Sequence, residues 1–191
     1  MQKFLINEQQ KFEGLLTEFN TTLTKFNNRD FNTTESVKTL LYNCIEVYKS
    51  LGNTIKQSEA EVLLSEFLMA QRGFNTVTLE KIKSGKNDLL QTTTHKVLQQ
   101  LQQLLSTGYK DNETKLEQAQ TLIAQIITAA IQSNIITHKM IDKYQRGKDA
   151  EKTWNLLSKD ANLSLGQKRA LLIVSQYDCY ILFDETISKL Q

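Results

Sequence analysis

Proline is absent from all 191 residues, and glycine occurs only seven times. Proline ends helices and punctuates loops, so its absence favours long uninterrupted helices with short connections. Strands are excluded on a different ground: no segment shows convincing period-two alternation. Cysteine is nearly as scarce. Cys44 and Cys179 stand far apart, with no CxxC or Cys/His spacing, which excludes zinc sites of the usual kind. Both lie in apolar helical segments and read as buried, reduced thiols of an intracellular, cytoplasmic protein.

An excess of one charge is also missing. There are 23 basic and 21 acidic residues, a formal net charge of +2. A nucleic-acid binder shows a larger basic excess or a basic stripe, so no nucleic-acid partner is expected. Lys81, Lys83 and Lys86 come nearest to a cluster, and their spacing fits a solvated helix face. No apolar run reaches the ~18–20 residues of a membrane span. The longest candidate, Leu122–Ile131, is interrupted by Gln125 and Thr128. The first ten residues lack the basic start and apolar core of a signal peptide. GxSxG, P-loop, GxGxxG and HExxH motifs are all absent, so the chain does not read as an enzyme and no cofactor is implied.

What is present is helical periodicity. The pattern predicts an all-α, single-domain bundle of six or seven long antiparallel helices over residues 1–191. Any seam is placed at Gly108–Asn112. A buried central helix is expected over about 111–147. It carries Leu116, Ala119, Leu122, Ile123, Ile126, Ile127, Ala130, Ile131, Ile135, Ile136, Met140, Ile141 and Tyr144. Apolar residues on more than one face of the helical wheel predict neighbours on several sides.

The other helices are read around it. Helix one is expected from about Gln2 to Asn27, with Phe12, Leu16, Phe19, Leu23 and Phe26 at alternating spacings of four and three. Asn32 with Glu35 marks a second helix, closed by Gly52–Asn53. Ser58 with Glu61 marks a third, ended by Gly73. A fourth is expected from Asn75 or Thr76 to Thr107, with a kink or break at Ser84–Asn87. A short helix over about Asp149–Lys159 is pinned by Trp154. Ser164 with Gln167 opens the last helix, expected to run to about Lys189.

Two groups of residues are candidates for function. Phe12, Phe19 and Phe26 repeat every seven residues and form either a bundle-facing stripe or a partner face. His138 and Asp142 stand one helical turn apart. Asp178 lies on an apolar stripe with Leu171, Ser175 and Leu182, where a carboxylate needs a partner. His138, Lys139, Arg169 or a tyrosine hydroxyl is the expected partner. The favoured function is a non-enzymatic protein-interaction or structural module that binds another protein or itself. The alternative is a small-ligand or sensory bundle. Its apolar pocket would lie between helices 111–147 and 164–189, lined by His138, Asp142, Asp178 and Tyr180.

Overall fold

The computed structural model describes residues 4–190. It is all α and 78% helical, with eight helices among the described residues. They are α1 (Leu5–Asn27), α2 (Thr33–Ser50), α3 (Thr54–Gln71), α4 (Lys86–Gln132), α5 (His138–Asp142), α6 (Ala150–Leu157), α7 (Ala161–Ile173) and α8 (Gln176–Ser188). Among these residues there is no strand, and a single isolated antiparallel bridge joins Phe74 and Lys81. The expected start of helix one at Gln2 lies outside the described residues.

The chain divides into two compact units. One is contiguous, Gln10–Lys110. The other is discontinuous, Met1–Gln9 with Asp111–Gln191. Helices α1 and α4 contribute residues to both.

The contiguous unit is built on apolar faces of α1, α2, α3 and the first half of α4. Its core holds Phe12, Phe19, Val37, Leu40, Leu41, Cys44, Tyr48, Phe67, Val97, Leu101 and Leu105. The turn after α2 follows the sequence expectation. Gly52 takes the left-handed conformation at φ +64°, and Asn53 then caps α3 by accepting from the Lys56 amide at 3.2 Å. The cap of α3 is therefore Asn53 and not Ser58, which lies inside the helix. The fourth helix, expected to start at Asn75 or Thr76, does not form there, and residues 72–85 are an irregular loop. The Asn75 side chain accepts from the Val77 and Thr78 amides, a local bond that competes with helix formation. The helix begins at Lys86, where a break had been expected.

Gly108 does not end a helix. α4 continues through it and through Asp111, so the expected boundary between a fourth and a central helix is absent. A Cβ at Gly108 would lie 2.6 Å from the Phe12 ring and 2.9 Å from the Tyr48 hydroxyl. That hydroxyl is fixed by donating to the Leu104 carbonyl at 2.8 Å. The glycine is needed for close packing, and the helix absorbs its poor propensity.

The core of the discontinuous unit holds Ile123, Ile126, Ile127 and Ala130 of α4. They pack with Ile136, Ile141, Trp154, Leu157, Ala170, Cys179, Phe183 and Ile187. α4 stops at Gln132, short of the expected Gly147. Asn134 turns left-handed at φ +54°, and the Ile135 amide folds back onto the Ala130 carbonyl. Ser133 and Asn134 are poor helix formers and end the helix although the apolar period continues. The expected last helix is two helices, α7 and α8, separated by the extended residues Val174 and Ser175. Asp160, not Ser164, caps α7. Trp154 is buried with its ring edge-on to Phe183 at 5.5 Å, which holds α6 against α8. Gln167 is buried and satisfied at both ends, donating to the Trp154 carbonyl and accepting from Ser158.

Candidate functional site

The phenylalanine stripe belongs to the contiguous unit. Phe12 and Phe19 are 2% and 3% exposed, packed among α2 and α4 residues of the same core. Phe12 meets Tyr48 edge-on at 5.5 Å. Phe26 is half-buried, with its ring 6.3 Å from that of His95.

The four polar candidates do not form one site. His138 and Asp142 lie on α5, a helix of five residues, and both are exposed. Tyr180 is half-buried, and its hydroxyl accepts from the Gln176 amide group one turn earlier. Asp178 is fully buried. Its partners are none of those the sequence suggested. One oxygen accepts from the Leu5 amide at 3.0 Å, the Ser175 hydroxyl at 2.7 Å and the Ser175 amide at 3.3 Å. The other accepts from the Ile6 amide at 3.2 Å. The Ser175 hydroxyl in turn accepts from the Asp178 amide, completing a capping box. One carboxylate thus satisfies the first turns of both α1 and α8, where the positive ends of two helix dipoles favour its charge. The sequence signal was available as Ser-x-x-Asp, but it sits inside an apolar run that reads as continuous helix.

A second buried carboxylate went unnoticed in the sequence. Asp184 accepts from the Tyr144 hydroxyl and the Gly147 amide, both at 3.0 Å, and pairs with the Arg146 guanidinium at 3.5 Å. These bonds fold the connection between α5 and α6 back onto α8. Burial, and then the hydrogen bond to Asp184, push the Tyr144 hydroxyl above its usual range.

Nucleophilic chemistry finds little support. Burial pushes both thiols from 9.0 up to about 12, with the Asp178 charge adding to the effect at Cys179. A reactive thiolate needs the opposite surroundings, accessible and electropositive. Among the described residues, no three His, Cys, Asp or Glu side chains converge as metal ligands would.

Among the described residues, one cleft of 480 Å³ lies between α3 and α4 in the contiguous unit, and two further surfaces lie in the discontinuous unit. One is a shallow, open surface along the outer face of α4. It is lined by Glu117, Gln120, Thr121, Ala124, Gln125, Thr128, Ala129 and Gln132. Thr121, Gln125, Thr128 and Gln132 are exposed, while Ile123, Ile126, Ile127 and Ala130 on the opposite side are buried. From Gln118 to Thr137 the chain has no Asp, Glu, Lys or Arg. The second cleft, of 390 Å³, lies where α5, α6 and the end of α8 meet. None of His138, Asp142, Asp178 and Tyr180 lines it.

Among the described residues, no helix is long and apolar enough to cross a membrane. Compared with protein-family models, with curated proteins and with solved structures, the chain matches none.

Proposed function

We propose that the protein is a non-enzymatic interaction module that binds another protein, or a second copy of itself, through the outer face of α4 in the discontinuous unit. One observation carries this reading: an exposed helix face that carries no charge beyond Glu117 at its start. The chain as a whole is 23% charged, yet twenty consecutive residues around this face carry none. Covering an unpaired charge costs several kcal/mol, so the centres of interfaces are depleted in charge. Glutamine and threonine keep such a face wettable in the free protein and can hydrogen-bond across it when covered. Ala124 and Ala129 let a second helix approach closely. The face extends from Glu117 to Gln132, roughly 24 Å along the helix axis at ~1.5 Å per residue.

Thr121 and Thr128 are exposed, so replacing both with arginine changes the face without disturbing the core. Sedimentation velocity on both proteins tests for a second copy. Co-purification from the source cell tests for a different partner. The expected result is association by the parent chain that is lost in the Thr121→Arg/Thr128→Arg variant, with melting within about 0.5 kcal/mol of the parent. Identical association by the two proteins, or none by either, refutes the proposal.

A further inference from the structure

We infer that the cleft between α5, α6 and the end of α8 binds an amphipathic carboxylate, a linear apolar chain carrying one anionic head. This is independent of the α4 face. The floor of the cleft is apolar: Ile136, Ile141 and Ile187 are almost fully buried beneath it, and Met140 flanks it half-exposed. A thioether side chain is the most adaptable of these and moulds to a flexible tail. The volume of 390 Å³ lies in the small-ligand range of roughly 300–1,000 Å³.

The rim supplies the head-group chemistry. Lys139 and Lys143 stand one helical turn apart and both line the cleft. Both are exposed, and among the described residues neither has an ion-pair partner. The nearby acids are engaged or face away. Asp149 also lines the cleft, held by the Gln145 amide at 2.9 Å, so its single negative charge stands against the two lysines. Asp184 is taken up by Tyr144, Gly147 and Arg146. Asp142 does not line the cleft. Over residues 138–149 the chain carries Lys139, Lys143, Arg146 and Lys148 against Asp142 and Asp149. Two ammonium groups above an apolar floor complement a carboxylate whose tail is buried. Neither a neutral chain nor a bare anion uses both halves of such a site.

Isothermal titration with decanoate below its micelle concentration tests this, with decanol and acetate as the tail-only and head-only probes. Decanoate is expected to bind saturably, at least about tenfold tighter than either control, a difference of ~1.4 kcal/mol. Lys139→Gln/Lys143→Gln should weaken decanoate about tenfold, and Met140→Glu should weaken it by like-charge repulsion. All three substitutions fall on exposed residues, and unchanged melting curves verify that the fold is intact. Three results overturn the inference. These are no saturable decanoate binding, equal affinity for acetate, and decanoate binding untouched by both variants. Binding to phosphatidylglycerol vesicles without binding to free decanoate also overturns it, because surface charge alone explains that result.

Discussion

Removing the Asp178 carboxylate should loosen two helix starts at once. In Asp178→Ala, the amides of Leu5 and Ile6 and both polar groups of Ser175 lose their acceptor. Hydrogen bonds to a charged group contribute roughly 1.5–3 kcal/mol each when their partners are buried. They are not additive, and the α1 start can fray to recover water. A net loss of about 3–5 kcal/mol follows, near the upper end for single substitutions. Asp178→Asn keeps one oxygen. Placed where it serves Leu5 and Ser175, it leaves an amide group facing the Ile6 N–H, so the cost should be about 1–3 kcal/mol. Ser175→Ala removes only the α8 cap and should cost ~0.5–2 kcal/mol. Urea denaturation gives the three values. Amide exchange at Leu5 and Ile6 then separates the two roles. It should accelerate in both Asp178 variants and change little in Ser175→Ala. If Asp178→Asn melts within about 0.5 kcal/mol of the parent, or if the Leu5 and Ile6 amides stay protected, the double-cap reasoning is wrong.

Gly108→Ala tests close packing against propensity. Alanine gains about 1 kcal/mol in a helix interior, but a Cβ at 2.6 Å from the Phe12 ring overpacks the core by ~1–3 kcal/mol. Chemical denaturation should therefore show no stabilisation, and Phe12→Leu added to Gly108→Ala should cost less than the sum of the two changes. For the thiols, the folded chain holds its protons to about 12, against 9.0 for the unfolded chain. Their stabilisation is complete below pH 9 and is lost as pH rises through about 12, so urea midpoints should fall across that window. At pH 8 a bulky maleimide should label Cys44 and Cys179 only as fast as the protein unfolds.

The sequence read well where local chemistry and burial agree. The end of α2 at Gly52–Asn53, the stop at Gly73 and the short helix carrying Trp154 were all legible from turn residues and apolar spacing. It read poorly where tertiary packing overrides a local rule. Gly108 looked like a terminus because nothing in the sequence shows that Phe12 and Tyr48 lie against it. The Val174–Ser175 break was hidden because the residues on either side are apolar at helical spacing. Asp178 was recognisable as a carboxylate that needed partners. Those partners proved to be backbone amides at positions 5 and 6, and no side-chain pattern could have named them. The candidate clefts were the least legible. A face is open or closed according to which helix packs there, and periodicity records only that a residue is apolar.

The discontinuity of the second unit bears on the order in which the chain can fold during synthesis. Residues 10–110 are contiguous, so everything their core needs has been made once Lys110 is complete. The segment that begins α1 is made before residues 10–110, yet its partners are made after them. Leu5 and Ile6 donate to a residue more than 170 positions away, and at ~5–20 residues per second the ribosome needs several further seconds to reach it. Throughout that interval the side chains of Leu5 and Ile6 lack the core they pack into. The early core gains nothing by waiting for them. The order of synthesis therefore leaves the Leu5 and Ile6 amides without their acceptor until Asp178 and its neighbours have been made.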